Sequence, residues 1–155
     1  MDIVSLSDHQ TYLPQVADWI YREFVENIRN DITLDHIKTT LQKRQKDAIP
    51  LTYLGMIEGD CIGTVSLVGN DLKARPDLSP WLAALYVRPD CRGQGYAKQL
   101  IQKVIASASG MGYRSLYLRT ETTAEYYKRL GWTKVDETVD EFQLFTEVFA
   151  KEIYL

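Results

Sequence analysis

The run Arg92-Gly93-Gln94-Gly95-Tyr96-Ala97 stands between an apolar segment, "WLAALYV" (81–87), and a segment of helical periodicity. Its residue types suit the capture of a bulky anion. Gly93 and Gly95 let the chain turn closely, and Ala97 keeps the first helical turn uncrowded. Backbone N–H groups at a helix start have no acceptor within the helix and point at whatever lies beyond it. Arg92 adds fixed guanidinium donors to the same anion, and a pyrophosphate fits this better than a carboxylate. Taken alone, Gly-x-Gly also answers the needs of a turn between two buried elements. A second chemical feature is the pair of adjacent phenols, Tyr126 and Tyr127, in "AEYYKRLGW" (124–132). At least one of them should pack on a helix face.

Familiar nucleotide loops do not fit. A dinucleotide fingerprint needs a third glycine where Lys98 stands, and an ATPase phosphate loop needs Gly-Lys-Ser/Thr. Metal ligation has no basis, because Cys61, Cys91, His9 and His36 lack grouped partners, and two cysteines make no disulfide framework.

The elements that position these residues follow from periodicity. "DIVSL" alternates as a short strand. Val16, Trp19, Ile20 and Phe24 then repeat at helical spacing after Pro14, as do Leu34, Ile37 and Leu41 after Thr33, a suitable cap. "LTYLGMI" and "CIGTVSLV" form a hairpin about "EGD". After the polar loop "NDLKARPDLSP", "WLAALYV" reads as an interior strand covered on both faces. Ala97, Leu100, Ile101, Val104, Ile105 and Ala108 make one helical stripe that Gly110 and Gly112 stop. "SLYLRT" completes a right-handed strand-helix-strand unit with a parallel pair. "TAEYYKRLGW" is a short helix with capping-box spacing at Thr122 and Glu125 and Gly131 at its end; two antiparallel strands close the chain. The expected fold is a mixed α/β sheet with helices on both faces.

Composition sets the outer bounds. With 155 residues, 45% hydrophobic and 25% charged, the chain suits a single domain spanning 1–155. A formal charge of -3 with interspersed signs gives no reason to expect nucleic acid. No leader or membrane-spanning run is evident, so a soluble cytoplasmic protein is expected.

The order of elements and the quoted motifs resemble those of the GCN5-related N-acetyltransferase (GNAT) superfamily. That family's acyl-CoA motif is Arg or Gln, two residues, Gly, one residue, Gly or Ala, which Arg92 to Ala97 matches. "AEYYKRLGW" resembles its later "YxxxGF/W" helix and "VFAKEIY" its last strand. The resemblance implies a mostly antiparallel sheet whose parallel pair, "WLAALYV" and "SLYLRT", splays into a wedge for acetyl-CoA as co-substrate. Leu85, Tyr86 and Val87 would bond the pantetheine arm through their backbones. Arg92, Gly93, Gln94, Gly95, Tyr96 and Ala97 would hold the pyrophosphate. The acetyl group would pass directly to a primary amine, on a small molecule or a peptide, with Tyr127 as general acid toward the thiolate.

The chain also departs from the pattern. The glutamate that many relatives carry on the strand matching "WLAALYV" is absent, which leaves Asp71, Asp77, Glu121 or a water route to the base role. An asparagine frequent after the next strand is replaced near Thr120, which takes its place as the cofactor contact. Trp19, Tyr21, Phe24 and Trp81 either wall the acceptor pocket or pack as core. Without the strand glutamate, a CoA-binding regulatory module with little turnover is the competing function. The family permits a monomer or a homodimer.

Overall fold

The computed structural model describes residues 1–29 and 31–153. Seven strands form one sheet: β1 (Asp2–Ser5), β2 (Leu51–Ile57), β3 (Asp60–Val68), β4 (Trp81–Val87), β5 (Ser115–Thr120), β6 (Thr133–Val139) and β7 (Phe145–Glu152). Their order across the sheet is β1-β2-β3-β4-β5-β7-β6. Each adjacent pair is antiparallel except β4 and β5, so the sheet is mixed and mostly antiparallel as expected. The β2–β3 turn falls on Glu58 and Gly59, whose φ values of 49° and 85° match a tight two-residue hairpin turn.

Helices cover both faces. On one face α1 (Leu13–Ile20), its continuation through a wide turn at Tyr21–Val25, and α2 (Leu34–Gln42) bury Leu13, Val16, Ala17, Ile37 and Leu41 against Leu54 and Cys61. Pro14 lies in the first turn of α1, and Thr33 caps α2 by accepting a hydrogen bond from the His36 N–H at 3.1 Å. On the opposite face α3 (Tyr96–Gly110) and α4 (Ala124–Arg129) pack on the sheet. Leu100, Ile101, Val104 and Ala108 of α3 are buried there, and each larger side chain contributes about 1.5–3 kcal/mol by leaving water. Alternation along each strand serves the two layers: Leu116 and Leu118 face α3 and α4, whereas Tyr117 packs on the other side with Trp81 and Val148.

Three details depart from the sequence expectations. Gly110 is the last residue of α3; Gly112, at φ 92°, ends it, with Tyr113 N–H returning to the Ala108 carbonyl. At the start of α4 the expected Thr122–Glu125 capping box does not form. Thr120 Oγ1 accepts from the Thr122 and Thr123 N–H groups instead, because the tight turn after β5 brings its hydroxyl closer, while Glu125 pairs with Lys128. The middle of β4, expected to be covered throughout, is half-buried from Ala84 to Tyr86 because its neighbour β5 moves away. Within the expected last strand, Tyr154 lies outside the described residues.

Candidate active site

Trp81 and Tyr117 are the registered pair between β4 and β5, and Tyr117 N–H bonds the Pro80 carbonyl. Beyond that contact the two strands part toward Val87 and Thr120. Just past it β4 carries a bulge: Thr64 faces Tyr86 and Ser66 faces Ala83, so Val65 alone stands opposite Ala84 and Leu85. Ala84 takes φ 52°, a left-handed conformation that costs a residue with a Cβ about 1–2 kcal/mol. The ladder with β3 fixes which backbone groups face the opening. Arg88 N–H bonds Ile62, so by alternation the peptide groups of Tyr86 turn to β3 and those of Val87 turn to the wedge.

The loop after β4 has a geometry that an anion could fill. Gly93 and Gly95 have φ of 79° and 83°, and a Cβ at either position would meet open space, so conformation rather than crowding demands glycine. Gly95 begins α3. The N–H groups of Gly93, Gln94, Gly95, Tyr96, Ala97 and Lys98 find no acceptor among the described residues. Successive donors around open space, at the positive end of a helix, suit a diphosphate. The Gln94 and Tyr96 side chains meet each other at 3.4 Å, leaving their backbones to the cradle. Arg92 donates through Nε to the Val87 carbonyl at 2.8 Å, and its guanidinium carbon lies 5.4 Å from the centre of the Tyr86 ring. Cys91 rests against Arg88 and Asp90 beside the loop.

Tyr127 reaches the same face from α4. Its ring is boxed by Tyr126, Trp132 and Phe149 at centroid separations of 5.3, 6.1 and 6.5 Å. Burial, with a smaller contribution from Tyr126, pushes the phenol above its usual range, so it holds its proton at any working pH. The hydroxyl has no partner among the described residues, yet it is not one of the sealed unpaired polar atoms, so it remains open to a ligand. Tyr126 instead lines an open hollow of about 370 Å³ beside Thr122, Glu125, Arg129 and Glu147. Thr120 is buried, with its hydroxyl spent on Thr122 and Thr123; it shapes the turn that carries Tyr127.

Polar residues gather on the opposite face, at the level where the strands part. Thr52 and Ser66, both fully buried, share a hydrogen bond of 2.7 Å, and Arg44 donates to Thr52 at 3.1 Å. Arg119 of β5, 6% exposed, bonds the fully buried Asp140 carboxylate at 2.6 Å and the Asp71 carbonyl at 3.3 Å. Burial raises the Asp140 carboxyl, but hydrogen bonds from Arg119 and the Leu144 and Phe142 N–H groups outweigh it and hold the group below its usual range.

The three carboxylates considered as bases fare differently. Asp77 is tied to Arg75, which also holds Asp136, and that hydrogen bond lowers its carboxyl. Glu121 accepts from Thr146 at 3.0 Å. Asp71 makes no side-chain hydrogen bond among the described residues, and burial pushes it up to about 6, against the attraction of Arg119, Arg29 and Arg44. Of the aromatics, Trp81 is core, its indole N–H donating to the Leu78 carbonyl; Trp19 packs tilted on Tyr86, with ring centroids 5.1 Å apart. Arg29, Arg44, Arg119 and Asp140 escaped sequence reasoning. The one signal was Arg119, a charge on a strand otherwise reading as buried.

Comparison with known proteins agrees with this geometry. The model of the acetyltransferase (GNAT) family matches residues 13–132. An aminoglycoside 6'-N-acetyltransferase solved with coenzyme A superposes with a TM-score of 0.77 at 13% identity, covering 100% of this chain and 98% of that one. A ribosomal-protein-alanine N-acetyltransferase from Brucella melitensis gives 0.75 at 19% identity, over 99% and 100%. An N-acetyltransferase from Staphylococcus aureus Mu50 gives 0.74 at 16%, over 98% and 99%. At these identities the likeness is one of fold.

Proposed function

The chain belongs to the acetyltransferase (GNAT) family, and from that premise we propose that it moves an acetyl group from acetyl-CoA to a primary amine by direct attack. Membership supports acetyl-CoA-dependent acetyl transfer in general; the roles of residues are our reading. The observation that carries it is the cradle, where unpaired N–H groups from Gly93 to Lys98 and two left-handed glycines surround open space.

Acetyl-CoA supplies a thioester whose carbonyl carbon accepts the amine while its sulfur leaves as thiolate. The backbone from Gly93 to Ala97 holds the diphosphate, with Arg92 beside it. Leu85 offers its peptide groups and Val87 its N–H along the parted edge of β4, the Val87 carbonyl being held by Arg92. The amine nitrogen forms the new C–N bond, the C–S bond breaks, and Tyr127 gives its proton to the sulfur. That phenol is suited to the task because its site keeps it neutral and its hydroxyl has no competing partner. The ammonium proton departs on the opposite face, where Asp71 is the carboxylate without a side-chain bond. No helix among the described residues is long and apolar enough to cross a membrane; a cytoplasmic setting accompanies this reading.

The test is acetyl transfer from acetyl-CoA across an amine panel, followed as free thiol release, alongside thermal stabilisation by coenzyme A. Both are expected. Stabilisation without transfer to any amine would favour a regulatory CoA-binding module, which the lack of a carboxylate on β4 permits. The absence of both would refute the cradle.

A further inference from the structure

The polar cluster on the face opposite α3 and α4 has a charge arrangement that bears on what binds beside it. Arg119 pairs with Asp140 at 2.6 Å and with Glu121 at 3.7 Å. Three charges remain beside them: Asp71, Arg29 and Arg44. Arg29 and Arg44 both act on Asp71, yet neither has a carboxylate within 4 Å among the described residues. Arg29 lies over the Phe142 ring at 4.7 Å, and its Nε is sealed from water with no partner. Arg44 spends Nε on Thr52, and burial lowers its guanidinium from the usual range, with Asp71 partly offsetting. A buried donor left unpaired costs about 1–3 kcal/mol. Two guanidinium groups against one unbonded carboxylate leave an excess of positive charge beside that carboxylate.

We infer that the acceptor is an amine that also carries an anionic group, its ammonium meeting Asp71 with Glu121 nearby and its anion meeting Arg29 and Arg44. This rests on the transferase reading. A diamine would set its second cation against two arginines, and a plain alkylamine would leave the Arg29 donor unmet. The two guanidinium groups suit carboxylate and phosphate oxygens alike.

The experiment compares length-matched acceptors on the unmodified protein: ω-amino carboxylates from glycine to 6-aminohexanoate, ω-aminoalkyl phosphates, alkylamines and α,ω-diamines. An anionic series is expected to exceed the matched alkylamines and diamines in kcat/KM by at least about 10-fold, the worth of one charge-assisted contact. Whether carboxylate or phosphate leads identifies the anion. Arg29→Gln and Arg44→Gln are each expected to raise KM for that series about 10-fold or more, leaving the KM for acetyl-CoA unchanged. Arg29→Glu should shift preference toward diamines. Equal or better use of diamines or alkylamines overturns the inference while leaving the transferase reading intact. Calorimetry of the same probes on protein saturated with coenzyme A separates the two in the other direction. Selective binding of the anionic amines, weakened by Arg29→Gln, upholds the inference even without turnover, and absence of binding by every anionic probe overturns it.

Discussion

Replacing Asp71 with Asn should make the protein more stable and less active. The carboxyl is pushed from 3.8 up to about 6, so the fold favours its protonated form. That preference is fully present below pH about 4 and is lost as pH rises through 6, after which the ionised carboxylate costs a constant amount. The full displacement corresponds to at most about 3 kcal/mol. Asp71 is only half-buried, and solvent on its open side reduces that to about 1–2 kcal/mol. Asparagine removes the ionisation. Thermal unfolding followed by circular dichroism from pH 4 to 8 should therefore find the two proteins alike near pH 4. By pH 7.5 the variant should lead by about 2–8 °C at the 2–4 °C per kcal/mol typical of this size. In the same variant kcat/KM for the amine should fall at least about 10-fold, and the acid limb near pH 6 should vanish. A variant less stable than the parent at pH 7.5 would refute the reasoning, since the attraction of Arg119, Arg29 and Arg44 would then outweigh burial.

Tyr127→Phe keeps the contacts with Tyr126, Trp132 and Phe149 and loses no protein hydrogen bond; stability should stay within about 0.5 kcal/mol. Acetyl-CoA affinity should hold within a few-fold while single-turnover acyl transfer slows about 10²–10⁴-fold, and unchanged transfer would remove the assignment. Gly95→Ala forces a Cβ onto a residue at φ 83° that faces open space, so it should cost about 1–2 kcal/mol of stability and weaken acetyl-CoA binding about 10-fold by calorimetry. Gly59→Ala, at φ 85° in the β2–β3 turn, is the control: the same strain with no change in affinity.

The cradle proposed for the donor was legible because one continuous segment builds it. Strand end, two glycines and helix start follow one another within a few residues, so spacing alone encodes the cradle. Tyr127 was legible for the same reason, its position being set by Gly131 within a single short helix. The acceptor side was not. Asp71, Arg29, Arg44 and Arg119 come from four separate segments, and only the sheet order β3-β4-β5 and the packing of α1 and α2 bring them to one face. Asp71 did stand among the carboxylates weighed as a base, but its distinction from Asp77 lies in Arg75, whose choice of partners no spacing announces. The cap at α4 failed for a similar reason: Thr120 and Thr122 both suit the role, and the turn after β5 decides between them.

The Tyr86 ring touches Trp19 of α1 on one hand and the Arg92 guanidinium on the other. The proposed half-sites for the two substrates would thus be joined through a single aromatic group. If Arg92 leaves the ring to grip a diphosphate, the contact holding α1 changes with it, and thermodynamic reciprocity then binds the two affinities together. Whatever factor coenzyme adds to acceptor binding, acceptor must return to coenzyme, so on this reading the coupling between the two affinities runs through one side chain.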